Sequence, residues 1–108
     1  MSLKIKIKNV NNIPVVTLIG QVVGTDVNTL SKKLETLAKS DHAVVVIDLN
    51  DANYIDSHGL GVFVYTLKTM EANNKRLVFL NPQGLIRDIF YETNLNKVLP
   101  VINNLEEL

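Results

Sequence analysis

Leu3, Ile5 and Ile7 alternate with Lys4, Lys6 and Lys8, and a period of two with one apolar and one basic face predicts a half-buried strand. Lysines along such a strand discourage pairing with other chains, so the run reads as a protected sheet edge rather than a nucleic-acid patch. Asn11-Asn12 marks a turn, and Pro14 to Ile19, closed by Gly20, forms the return strand of a hairpin. From Thr25 the period lengthens. Val27, Leu30, Leu34, Leu37 and Ala38 fall on one helical stripe, which predicts a first helix over 26–39 with Thr25 or Asp26 as its N-cap. Val44 to Ile47 is unbroken and β-branched, as expected of a central strand buried on both faces.

A second helix follows residue 57, with Leu60, Phe63, Val64, Leu67 and Met70 as its buried stripe and its end near Ala72-Asn73-Asn74. Leu77 to Leu80 reads as another buried strand. Asn81 as a cap and Pro82 in the first turn predict a third helix in which Leu85, Ile86, Ile89 and Phe90 face inward and which Asn94 ends. Val98 to Ile102 reads as a short last strand, and Leu105 to Leu108 as the start of a truncated helix. The order is strand, strand, helix, strand, helix, strand, helix. It implies one α/β domain over 1–108: a mixed sheet of four to five strands with an N-terminal hairpin, its later strands parallel and joined by right-handed crossovers that pack helices on the sheet.

Composition narrows the function classes. Eleven basic and eleven acidic side chains cancel, so no long-range field gathers nucleic acid or an anionic membrane. The absence of cysteine removes disulfides and thiolate metal sites and fits a reducing compartment. No apolar run approaches the roughly 18 residues that span a bilayer, and Met1-Ser2-Leu3-Lys4 lacks a signal-peptide core. The expectation is a cytoplasmic domain without direct membrane insertion.

The segment Tyr54-Ile55-Asp56-Ser57-His58-Gly59-Leu60-Gly61 is where chemistry is most concentrated. It places Ser57 at a helix N-terminus, where unpaired N–H groups and the positive end of the macrodipole favour an anion. Gly59 and Gly61 each cost about 1 kcal/mol relative to alanine inside a helix, and close approach of another backbone or of a phosphoryl donor is one reason to keep them. The alternative for Ser57 is a plain N-cap whose oxygen accepts from an N–H two or three residues on. His42 and His58 lack metal-ligand spacing. Ser57 and His58 are sequence neighbours whose side chains point about 100° apart on a helix, which rules against a Ser-His pair. Asp48, Asp51 and Asp56 read as loop carboxylates, because the first two strands carry no carboxylate to complete a phospho-acceptor cluster. Neither a Walker-type loop nor a dinucleotide fingerprint is present, so no metal and no cofactor is expected.

The runs IDLNDANYIDSHGLGVF, KRLVFLNP and IRDIFYETNLNKVLPV together resemble the STAS domain of anti-sigma factor antagonists, over nearly the whole chain. In that family a strand delivers an Asp-Ser-[Ser/Ala]-Gly-Leu-Gly segment whose serine is phosphorylated by an anti-sigma factor that is also an ATP-dependent kinase. The resemblance implies Ser57 as phosphoacceptor, with Asp56, Ser57, His58, Gly59, Leu60 and Gly61 as the partner-binding surface. It also implies an anti-sigma factor with serine-kinase activity as partner, a phosphatase for reversal, and no catalytic residue in this chain. Two positions depart from the pattern. Gly20-Gln21-Val22-Val23 stands where Glu-[Leu/Ile]-Asp is usual after the glycine, so Val23 replaces the acidic neighbour and Asp26 is its displaced substitute; His58 stands where serine or alanine is usual. Val23 favours the alternative of a STAS scaffold or accessory subunit in a stress-signalling or membrane transport complex, with no phosphorylation cycle.

Overall fold

A computed structural model describes residues 2–108. The chain runs β1 (Lys4–Val10), β2 (Ile13–Val22), α1 (Asp26–Ala38), β3 (Val44–Asp48), β4 (Ala52–Ile55), α2 (Ser57–Ala72), β5 (Arg76–Leu80), α3 (Gly84–Glu92) and β6 (Val101–Ile102), with single 3-10 turns at Leu95–Lys97 and Leu105–Glu107. The expected hairpin forms with Lys4 opposite Ile19 and Val10 opposite Ile13. Its two-residue turn has positive φ at both Asn11 (52°) and Asn12 (66°), the backbone that matches the twist of paired strands and that asparagine tolerates.

The main sheet has the order β1-β2-β3-β5-β6, with β4 paired to β2 off this path. Six strands therefore stand where four to five were expected, within the expected α/β class. Each new parallel strand is added on the same side, so right-handed connections lay α1, α2 and α3 on one face of the sheet. Alternate residues Val16 and Leu18, Val45 and Ile47, and Leu77 and Phe79 meet Leu30, Leu34, Phe63, Met70, Ile86 and Phe90 from the helices in one buried cluster. Phe63 and Phe79 lie 4.9 Å apart between ring centroids, and Phe79 meets Phe90 edge-on at 6.3 Å, so one aromatic chain ties α2 through β5 to α3. Val46 is buried on the opposite face of β3, so the central strand is covered on both sides as its sequence predicts. β1 forms one edge of the sheet, where the lysines were expected.

Several boundaries differ from the sequence expectation. β2 extends to Val22, past the expected end at Ile19, because it changes partner: residues 15–17 pair with β3 and residues 20–22 with β4, with a register shift between Gly20 and Gln21. Gly20 at φ 104° occupies backbone that side chains rarely adopt, and the bulge it permits bends the strand. β4 itself was not expected. Only its end residues Ala52 and Ile55 are buried, a spacing of three that lacks the period-two alternation of a half-buried strand. α3 begins at Gly84, not at Pro82. Asn81 adopts φ 54° and Gly84 φ 52°, which breaks the helical path between them, and the Asn81 amide is committed to Asn50 Oδ1 at 2.7 Å instead of capping. The expected last strand shrinks to Val101–Ile102, since Leu95–Lys97 forms a 3-10 turn and Val98 is exposed. At Leu105–Glu107 a single 3-10 turn with an Asn104–Glu107 capping box replaces the expected helix start.

Candidate functional site

The bulge at Gly20 carries the end of β2 alongside β4, with Val22 opposite Ile55. The chain then leaves β4 into α2 through Asp56, whose backbone N–H donates to Val22 O at 3.2 Å. Asp56, not Ser57, is the N-cap of α2. Its Oδ1 accepts from Gly59 N–H at 2.8 Å and its Oδ2 from Gly24 N–H at 3.1 Å. One carboxylate thus closes the first turn of α2 and clamps the β2–α1 loop against it. Those two N–H donors hold the Asp56 carboxyl below its usual 3.8; partial burial opposes them, and the charge of nearby His58 reinforces them.

Because Asp56 caps the helix, the alternative reading of Ser57 as N-cap falls. Ser57 is the first residue of α2 and is exposed, and its hydroxyl takes no part in the capping bonds. The six residues singled out from the sequence lie in the first turn and a half of this helix and separate by orientation. Ser57, His58 and Gly61 are exposed, Asp56 and Leu60 are half-buried, and Gly59 is buried. A Cβ on Gly59 would lie 2.7 Å from Ile55 Cγ1 and 3.0 Å from Val22 O, so Gly59 lets the helix seat on β4 and β2. It is a packing residue beneath the surface.

The surroundings are those of a surface. A cavity of about 610 Å³ sits elsewhere, at the start of α3, between Asn81, Gln83, Arg87, Tyr91 and Asn96. Asp48 Oδ1 accepts from Asn50 N–H, and Asp51 Oδ1 accepts from the Asn50 amide, so these carboxylates organise the β3–β4 turn and do not join Asp56. His42 is half-buried beside Ser40, far along the chain from the Ser57 segment. Asp26, the displaced acidic candidate, is committed through Oδ2 to Leu3 N–H at 3.0 Å. Val23 is half-buried in the loop that Asp56 clamps. Sequence reasoning missed the capping role of Asp56; the signal was present, since aspartate three residues before Gly59 is a capping pattern.

Residues 4–108 match the profile of the STAS domain. The chain belongs to the STAS domain family. Over 103 residues, spanning 95% of this chain and 90% of its relative, it is 26% identical to the anti-sigma-B factor antagonist of Listeria monocytogenes. The fold resembles that of an anti-sigma factor antagonist from Mycobacterium paratuberculosis, with TM-score 0.87 and 19% identity over 98% of this chain and 90% of the other. It also resembles the Bacillus cell fate determinant SpoIIAA in its phosphorylated form, with TM-score 0.73 and 19% identity over 98% and 96%. In this STAS domain the first turn of α2 exposes Ser57 and His58 and is capped by Asp56. Among the described residues no helix is long and apolar enough to cross a membrane.

Proposed function

We propose that this STAS domain is an anti-sigma factor antagonist acting in the cytoplasm. It docks through the Ser57 surface on an anti-sigma factor that is also a serine kinase, frees the sigma factor for transcription, and is switched off when Ser57 is phosphorylated. A phosphatase resets the switch. The activity is binding, and no catalytic step is assigned to the chain. Similarity to proteins named as anti-sigma factor antagonists supports the class, and the existence of a phosphorylated form of the similarly folded SpoIIAA supports the modification.

The single observation that carries the site is the division of labour at the start of α2. Asp56 makes the capping bonds, which leaves the Ser57 hydroxyl exposed and available to a phosphoryl donor. Phosphorylation adds about −1.5 to −2 charges at neutral pH to a chain whose formal charge is +0. The dianion would stand beside the Asp56 carboxylate, whose Oδ1 already occupies the Gly59 N–H. Burying such a charge under a partner without full pairing is strongly unfavourable, so the partner leaves without any refolding of the domain.

The test is incubation of the chain with ATP and the purified anti-sigma factor of its own organism, followed by mass mapping. One phosphoryl group on Ser57, absent from Ser57→Ala, is the expected result. A second reading, a STAS scaffold or accessory subunit without phosphorylation, is favoured by Val23 and by the engagement of Asp26 with Leu3, which leave Asp56 as the acidic side chain that contacts the site. It predicts a stable complex, indifferent to ATP, with no modification at Ser57.

A further inference from the structure

β5 and β6 run parallel with Leu80 opposite Ile102, so the chain leaves both strands at the same end of the sheet, through Asn81 and Asn103. The carboxyl ends of parallel strands are where open α/β sheets place their ligands. The cavity of about 610 Å³ opens there, with Asn81, Gln83, Arg87, Tyr91, Asn96 and Asn103 in its lining and no carboxylate among the lining residues. Its volume falls within the range of small-molecule sites, about 300–1,000 Å³, but such sites are mostly apolar. Here four carboxamides and one guanidinium select for a polar occupant.

Asn81 and Gln83 both donate through their side-chain amides to Asn50 Oδ1, which fixes the two groups and leaves their own carbonyl oxygens without a donor among the described residues. Asn96 Oδ1 is sealed from solvent and likewise accepts no hydrogen bond among the described residues, an unmet demand that native folds rarely keep without a reason. Rotation of this side chain, which lines the cavity, is the way its oxygen meets a donor. Arg87 lies over the Tyr91 ring at 5.6 Å, a cation–π contact that steadies the guanidinium. It forms no salt bridge among the described residues, where the one ion pair joins Lys39 to Glu35.

We propose that this cavity binds a small polyhydroxylated anion, a sugar phosphate or a sugar acid. The single guanidinium matches one phosphate or carboxylate group, which it takes as a bidentate pair. The carboxamide oxygens accept from hydroxyls, and the carboxamide N–H groups donate to them. A neutral sugar leaves Arg87 without its anion, and bare phosphate leaves the carboxamides unmet, so recognition requires both parts on one molecule. None of the lining residues belongs to α2, which makes this site separate from the Ser57 surface.

The experiment is calorimetric titration of the full chain with glucose 6-phosphate, ribose 5-phosphate and gluconate, and with glucose and inorganic phosphate as the separated parts. At least one of the three polyhydroxylated anions should saturate the chain with a Kd below about 1 mM, while glucose and phosphate each bind at least about tenfold more weakly. The ranking of the two sugar phosphates against gluconate tells a phosphate site from a carboxylate site. Arg87→Gln, at an exposed position, should keep the wild-type Tm and weaken binding by about tenfold or more; Asn96→Ala should weaken it by a smaller factor. Failure of all three anions to saturate at about 10 mM overturns the inference. Inorganic phosphate binding as tightly as the sugar phosphates overturns it as well, because the carboxamides would then recognise nothing. Undiminished binding in folded Arg87→Gln also overturns it, since the ligand would sit elsewhere.

Discussion

Along its inner side α2 carries Gly59, Phe63, Leu67 and Met70, each buried, whereas its outer side carries Ser57, His58, Gly61 and Tyr65, each exposed. The fold accounts for every residue of the first set: a Cβ at 59 collides with Ile55, and Phe63 stacks with Phe79. It accounts for none of the second set. Ser57 Oγ caps nothing and the space over Gly61 is open. Packing thus dictates one side of the helix and leaves the other, with Ser57, His58, Gly61 and Tyr65, open to solvent. Asp56 stands at the boundary, satisfying the helix end so that its neighbour does not have to.

The contrast can be broken most directly on the inner side. Phe63→Ala should lose about 3–5 kcal/mol of stability, read by urea unfolding, since it removes the ring that joins α2 to β5. A loss below about 1 kcal/mol would deny Phe63 its place in the core. Gly59→Ala should lose about 1–3 kcal/mol through overpacking, because one of the three atoms it strikes, Val22 O, is backbone and cannot rotate away. A neutral Gly59→Ala would erase the distinction from Gly61.

Asp56→Ala should lose about 1 kcal/mol as a missing cap. Its effect is also pH-dependent. The folded-state carboxyl is held below the usual 3.8, so its contribution is fully present above that value and is lost as pH falls through the lower, folded value. The stability gap between wild type and Asp56→Asn should therefore narrow on acidification below 3.8 and stay flat at neutral pH. The smallest effect belongs to the outer side: Ser57→Ala should change stability by no more than about 0.5 kcal/mol. A loss near 1 kcal/mol would return Ser57 to a capping role.

The elements with strong periodicity were legible from the sequence. The stripe of Val27, Leu30 and Leu34 marked α1, Phe63, Leu67 and Met70 marked α2, and the β-branched run at Val44 marked β3. β4 was not legible, because its side chains Asn53 and Tyr54 both face outward and its existence depends on a bulge in a different strand, at Gly20. The start of α3 was misplaced by the Asn81-Pro82 pair, whose capping logic was overridden when the Asn81 amide, just after β5, bonded Asn50, just after the neighbouring β3. At the site, the segment from Asp56 to Gly61 was recognisable as a unit. Its inner and outer members were not separable without the packing of Ile55 and Val22, which is a tertiary fact.

The measurement that bears most directly on the docking and switching of Ser57 is a calorimetric titration of the purified anti-sigma factor with wild type, Ser57→Ala and Ser57→Asp. Ser57→Ala should bind within about twofold of wild type, and Ser57→Asp about a hundredfold more weakly, a difference of about 2.7 kcal/mol. Equal affinities for the alanine and aspartate variants would contradict the account.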